Sequence, residues 1–304
     1  MSSGPRRALH GVLLLDKPLG WSSNDALQKA KGLLRALKGG HTGTLDPLAT
    51  GLLPLAFGAA TKFSQASLDA DKRYRATLTL GLRTSTGDGE GEVLERRAVN
   101  VDRAAIEAVL ERFTGPIDQR PPMHSALKRE GRALYDYARA GIEVERAPRR
   151  VSIHRLAIVE WHSQVLVIDV VCSKGTYIRT LAEDIGAALG CGASLAALRR
   201  TGSGPLDAQD AITLDALAAL PEDARAARLL PPDVLLGQWP EVLLAGVEAG
   251  RFLTGLRRRV ALADAPAVRV YADMPRAFLG TAHIRAGELI ADRLLSPAEV
   301  QATP

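Results

Sequence analysis

Lys72-Arg73-Tyr74-Arg75-Ala76-Thr77-Leu78-Thr79-Leu80-Gly81-Leu82 alternates cleanly between apolar and polar residues. Tyr74, Ala76, Leu78, Leu80 and Leu82 share one face, while Arg73, Arg75, Thr77 and Thr79 share the other. Successive side chains of a strand project to opposite sides, so this stretch is a half-buried strand. Upstream, residues 11–15 form a short apolar run stopped by Lys17-Pro18-Leu19-Gly20. Ser22-Ser23-Asn24 then offers N-caps for a helix with Ala26, Ala30, Leu33, Leu34 and Leu37 at helical spacing, which Gly39-Gly40 is expected to end. Residues 41–49 have neither period and read as a loop, and 52–61 read as a buried apolar segment.

Downstream, 83–91 is Gly/Ser/Thr/Asp-rich and reads as a turn or flexible loop, and Asp102 caps a helix carrying Ile106, Val109, Leu110 and Phe113 before Gly115. Strands are expected near 151–161 and at Val165–Cys172, and Ser173-Lys174-Gly175-Thr176 turns into a helix over about 177–189. Strands and helices interleave without a βαβ rhythm. The fold class is therefore α+β, with a mixed or antiparallel sheet. Pro231-Pro232 and Trp239-Pro240 punctuate a linker, after which short strand-like pieces form a β-rich module.

The 304 residues favour two domains at roughly 150 residues each. Hydrophobic residues at 46% and charged residues at 24% exclude a wholly disordered chain, and no apolar run reaches the ~20 residues of a membrane span. Two cysteines, Cys172 and Cys191, cannot build a disulfide framework, which fits a reducing cytoplasm. The net charge of +5 is weak evidence of a polyanionic partner, but its location is informative. Between Asp118 and Arg155 nine basic residues face five acidic ones. The stretch 116–150 thus reads as a partly helical basic insertion, either a nucleic-acid footprint or a solvated face.

Gly39-Gly40-His41-Thr42-Gly43-Thr44-Leu45-Asp46-Pro47-Leu48-Ala49-Thr50-Gly51 concentrates glycines, hydroxyls, one His and one Asp. Pro47 restricts the chain just after Asp46, holding that carboxylate in a defined direction for general-base or nucleophilic work. The plainer alternative is that Asp46 caps a following helix. No Lys-Ser/Thr pair follows Gly51, so the loop is not a phosphate-binding P-loop. The six His are scattered without metal-ligand spacing. At the later strand-to-helix turn, Lys174 and the helix N–H groups offer a phosphate site. Arg179 falls in the first helical turn, where the dipole disfavours a cation unless an anion compensates. Core packing is the plain reading of Tyr74.

Together these segments resemble the bacterial tRNA pseudouridine synthases of the TruB type. The resemblance rests on Leu13-Leu14-Leu15-Asp16-Lys17-Pro18, Ser22-Ser23-Asn24-Asp25, the 40–51 loop running on to Ala60-Thr61-Lys62-Phe63-Ser64-Gln65, and Lys72-Arg73-Tyr74. Ser125-Ala126-Leu127-Lys128, the 173–179 turn, Gly190-Cys191-Gly192 and Leu198-Arg199-Arg200 continue it. It implies the pseudouridine synthase fold, a mixed, largely antiparallel sheet flanked by helices. The implied domains are a catalytic domain over 1–235, with a thumb at about 116–150, and a PUA-like RNA-binding domain over 236–304.

The implied reaction turns uridine-55 of the tRNA T-loop into pseudouridine, with no cofactor and no metal. Asp46 matches the nucleophile, Arg179 the arginine that pairs with it, and Tyr74 the residue that stacks on the base and is a candidate for handling its C5 proton. His41 matches a residue inserted among the T-loop bases, Tyr177 and Leu198 line the uracil pocket, and Lys17 supports the loop. Lys128, Arg132 and Arg146 are the expected thumb contacts. The expected partner is the T-arm of tRNA, with no membrane and no protein partner, for a cytoplasmic monomer that also assists tRNA folding. Ser85 and His124 depart from the family's usual residues. A guide-RNA-dependent rRNA enzyme of the same superfamily is the neighbouring reading, and an RNA-folding protein without catalysis a more distant one.

Overall fold

A computed structural model of the chain describes residues 5–125 and 127–304, with 128, 133 and 139 described in their backbone alone. The chain divides into two compact units. One comprises Leu48–Thr50 and Ala70–Thr201, and the other the chain up to Pro47, Gly51–Asp69 and everything from Gly202 on.

In the unit built around Lys72–Leu80, that strand lies between Ala193–Ser203 and Val165–Cys172, followed by Arg149–His162 and Gly115–Gln119. Lys72–Leu80, Val165–Cys172, Arg149–His162 and Gly115–Gln119 pair antiparallel, with Tyr74 opposite Val170 and Lys72 opposite Cys172. The alternation is realised directly. Ala76, Leu78 and Leu80 are buried with Ile168 and Val170, against Leu181 and Ile185 of the Ile178–Ala188 helix and Ile106 and Leu110 of the Arg103–Arg112 helix. On the wet face Arg75 grips its cross-strand neighbour Asp169 with two bonds of 2.9 and 3.0 Å. Asp102 caps its helix through a 2.8 Å bond from the Ala105 N–H.

In the other unit Gly11–Lys17 pairs antiparallel with Ala49–Phe57 and parallel with Ile212–Thr213. Ser22 caps the Ser23–Leu34 helix, accepting from the Asp25 N–H at 3.1 Å. That helix stops earlier than its apolar spacing suggests. Arg35 takes a left-handed φ of 54°, and Glu222 holds its guanidinium at 3.0 and 3.1 Å. Gly39 and Gly40 therefore do not end the helix but open the Gly39–His41 strand, paired with Phe57 and Ala56. The reason at Gly39 is space: a Cβ there would meet the Phe57 ring at 2.9 Å.

The β-rich module is a five-stranded sheet running Glu241–Leu244, Ala265–Ala272, Ala277–Arg285, Glu288–Leu294 and Arg258–Arg259. It shares an apolar cluster with the earlier chain, in which Val12, Leu52 and Phe63 pack with Tyr271, Phe278 and Leu295. The Phe63 and Phe278 rings meet edge-on at 5.1 Å.

The basic insertion holds a small hairpin, Lys128–Arg129 with Arg132–Ala133, and the Leu134–Arg139 helix. Ala126 of the Ser125-to-Lys128 motif lies outside the described residues, as does the Lys128 side chain. No helix among the described residues is long and apolar enough to cross a membrane.

Candidate active site

Asp46 sits in a loop pinned on both sides of it. Before it, buried Ser23 bonds both backbone groups of Leu45, accepting from the N–H at 2.8 Å and donating to the carbonyl at 3.0 Å. After it, the Pro47 carbonyl accepts from the Gly20 N–H at 2.9 Å and from Lys17 Nζ at 3.4 Å. Lys17 is fully buried and also donates to the carbonyls of Trp21 and Pro18, at 2.6 and 2.9 Å. A buried ammonium is tolerated only when such dipoles replace its water. Further back, buried Thr42 donates its N–H to Pro54 at 3.0 Å and accepts from Ser67 Oγ at 2.9 Å. His41 ends the strand leading into this loop, opposite Leu55. The chain beyond Pro47 enters the Ala49–Phe57 strand, so Asp46 caps no helix there.

The unit that holds Leu48 to Thr50 also carries Tyr74, Tyr177, Arg179 and Leu198. Leu48, Tyr74 and Leu198 pack against one apolar cluster, which includes Ile178 and Leu181. Thr50 Oγ1 donates to the Leu198 carbonyl at 3.5 Å. Asp46 precedes Leu48 by two residues. Tyr177 occupies the N-cap of the Ile178–Ala188 helix, and Arg179 lies in its first turn.

Arg179 is only 6% exposed. Its guanidinium lies 3.3 Å from the buried Asp88 carboxylate and donates to the carbonyls of Thr86 at 3.3 Å and His124 at 2.8 Å. The helix dipole calls for an anion near Arg179, and the resemblance expects Asp46 in that role; Asp88 is a partner that neither the pattern nor the motifs name. Its stretch, expected as a turn or flexible loop, is a tight turn in which Asp88 accepts from the Glu90 N–H at 3.1 Å and Ser85 Oγ from the Glu92 N–H at 3.0 Å. The unusual side chain at position 124 leaves the Arg179 contact intact, because the carbonyl makes it.

A cleft of about 420 Å³ borders this group, lined by Thr86, Met123, His124, Arg146 and Glu183 among others. Burial, reinforced by the neighbouring Asp184 charge, pushes the Glu183 carboxyl above its ordinary value, while Arg179 pulls it back. Of the expected thumb contacts, Arg146 donates to the carbonyls of Val144 and Pro121 at 3.1 Å and lies 3.3 Å from Glu143. Arg132 donates to the Asp136 carbonyl at 2.8 Å and sits over the Tyr137 ring. Burial pushes the Cys172 thiol up to about 12, which keeps it protonated and unreactive. Among the described residues no group of three or more His, Cys, Asp and Glu is placed to hold a metal.

The model of the TruB family pseudouridylate synthase N-terminal domain matches residues 31–178. The tRNA pseudouridylate synthase B C-terminal domain matches 179–236, and the pseudouridine synthase II TruB C-terminal domain matches 240–295. The chain belongs to the TruB family of pseudouridylate synthases. Among similar proteins, a tRNA pseudouridine synthase B of Verminephrobacter eiseniae is 61% identical, covering 97% of this chain and 91% of that one. One of Cupriavidus taiwanensis is 58% identical, covering 96% of each. Among solved structures, a Cbf5-Nop10-Gar1 complex matches with TM-score 0.75 and 25% identity, covering 98% of this chain and 88% of that one. An H/ACA RNP bound to a substrate RNA containing 2'-deoxyuridine matches with TM-score 0.73 and 24% identity, covering 97% and 87%. The TruB fold is thus the α+β class expected from the strand pattern, with a pseudouridine synthase sheet and a PUA-like C-terminal module.

Proposed function

We propose that this protein isomerises uridine to pseudouridine in tRNA, at position 55 of the T-loop, with Asp46 as nucleophile. The observation that carries this is its 57–61% identity, over nearly the whole chain, to proteins named tRNA pseudouridine synthase B. The pinned loop around Asp46 and the buried, anion-paired Arg179 support it, since a nucleophile works best when held rigid.

Uracil in a folded loop is stacked, so it must be flipped out before its glycosidic bond is reached. The C1′–N1 bond breaks, the base turns, a C1′–C5 bond forms, and the proton lost from C5 is balanced by one gained at N1. Neither oxidation state nor atom count changes, so the chemistry calls for no electron carrier and no group donor. Asp46 attacks in its ionised form, making a bond to the nucleoside that breaks again before the product leaves; Arg179 stabilises the free carboxylate, and Tyr74 stacks on the base and is the candidate for handling its C5 proton. Tyr177 and Leu198 line the pocket, His41 fills space among the loop bases, and Lys17 holds the loop in place. The insertion over 116–150 grips the T-arm, with Lys128, Arg132 and Arg146 as its contacts to the RNA. The functional division is a catalytic part over 1–235 and an RNA-binding part over 236–304, acting as a cytoplasmic monomer.

The test uses an unmodified T-arm hairpin carrying tritium at C5 of uridine, with no guide RNA present. Wild type is expected to release tritium and Asp46→Asn to bind the hairpin without release. Equal release by both would remove Asp46 as nucleophile. Binding without release by wild type would favour an RNA-folding protein.

A further inference from the structure

Gln119 is the last residue of the Gly115–Gln119 strand and is 2% exposed. Its backbone pairs with Arg149, so the chain leaves the sheet just after Gln119 and returns at its partner. Everything in the insertion hangs from this pair. The side chain reaches 58 residues along the sequence to one backbone unit. Its Oε1 accepts from the Tyr177 N–H at 2.7 Å, and its Nε2 donates to the Tyr177 carbonyl at 3.0 Å.

Tyr177 is the N-cap of the Ile178–Ala188 helix, and its own side chain makes no capping bond. The carboxamide of Gln119 satisfies an N–H that the helix leaves over. Only Gln and Asn present a donor and an acceptor side by side on one planar group, and Gln has the longer reach. Two residues further on, Arg179 donates to the His124 carbonyl, so the insertion touches the helix start a second time. Arg146, donating to the Pro121 carbonyl, closes the insertion's two ends on each other.

We propose that Gln119 is a positioning residue for the isomerisation. Its carboxamide ties the root of the insertion to the Tyr177 backbone, so that seating RNA against the insertion and seating the base against Tyr177 become one event. This rests on the reading of Tyr177 as a base-pocket residue.

The test is a double-mutant cycle in the full chain, with Gln119→Met, Tyr177→Ala and the pair. Single-turnover rate and Kd are measured on a T-arm hairpin, with the thermal midpoint as the folding control. Met keeps the length of Gln and removes both bonds. Gln119→Met is expected to lower the single-turnover rate about tenfold, the effect of two modest hydrogen bonds, while Kd moves by less than about twofold. In the Tyr177→Ala background the same change should have less than about a twofold effect. A full tenfold loss in that background, or a loss carried in Kd alone, overturns the proposal. A Tyr177→Ala variant as fast as wild type overturns the pocket reading itself. Should Gln119→Met fail to fold, Gln119→Asn keeps the neutral carboxamide on an arm one carbon shorter, and is expected to give an intermediate rate defect with the same dependence on Tyr177. The absence of such a defect in a folded Gln119→Asn also overturns the proposal.

Discussion

Arg179 and Asp88 form a buried ion pair at 3.3 Å, and burial sets its value to the fold. Removing one partner of a buried pair costs about 3–5 kcal/mol, because the other charge is left in a poor solvent. Arg179 keeps the Thr86 and His124 carbonyls, so Asp88→Ala is expected at the low end, about 3 kcal/mol. Urea unfolding reads that loss. The isomerisation rate is expected to fall with it by on the order of tenfold or more, as the guanidinium reorients. A variant as stable and as fast as wild type would remove Asp88 from this role.

Glu183 supplies a pH test. Burial first, then Asp184, holds its carboxyl above the ordinary value, so the folded state binds its proton more tightly than the unfolded chain does. The stability this group contributes is present at low pH and lost as pH rises through the shifted value. Glu183→Gln mimics the protonated form. It is expected to raise the unfolding midpoint at about pH 8 and leave it nearly unchanged at about pH 3, where Glu is mostly protonated in either state. Equal changes at both pH values would refute this account.

At the scale of elements, the Ile178–Ala188 helix is set against the strand that follows it by Gly186. A Cβ at this position would lie 2.1 Å from the Ala193 nitrogen and 2.4 Å from the Gly192 carbonyl carbon, both backbone atoms. The need here is for space, and backbone cannot yield as a flexible side chain can. Gly186→Ala is expected to push the helix off and destabilise the protein by about 1–3 kcal/mol, the usual range for overpacking, despite the better helix propensity of Ala. A denaturant midpoint at or above wild type would contradict it. The insertion shows the same dependence on context. Its positive charge was legible in composition, but Arg146 spends its donors on the Pro121 and Val144 carbonyls, and no local pattern reveals that.

At the scale of the molecule, the C-terminal module belongs to one compact unit with the N-terminal strands. Phe63 packs on Phe278, and Lys62 bonds Glu299 at 2.6 Å and the Leu294 carbonyl at 3.0 Å. Truncation after residue 236 therefore uncovers Phe63 and Leu52 instead of releasing an independent appendage. The shortened chain is expected to unfold at a clearly lower temperature and to aggregate, as scanning calorimetry and light scattering would report. An unchanged midpoint would mean that the module contributes nothing to the rest of the fold.

Sequence by itself determined what depends on near neighbours. The alternation at Lys72–Leu80, the caps at Ser22 and Asp102, the strand-to-helix turn before Tyr177 and the loop bearing Asp46 were all visible, because side-chain period and capping act within a few residues. The family motifs added expected roles for residues whose neighbours in space are far along the chain. Only the tertiary structure decided where the first helix stops, since Arg35 turns left-handed beside Glu222 and Gly39 must admit the Phe57 ring. It alone paired Asp88 with Arg179, joined Gln119 to Tyr177 and placed the Pro47 carbonyl against Lys17. In these last three pairings the deciding force is the need of a buried charge or amide for a partner. That partner is chosen by proximity in the folded chain, which a one-dimensional pattern does not carry.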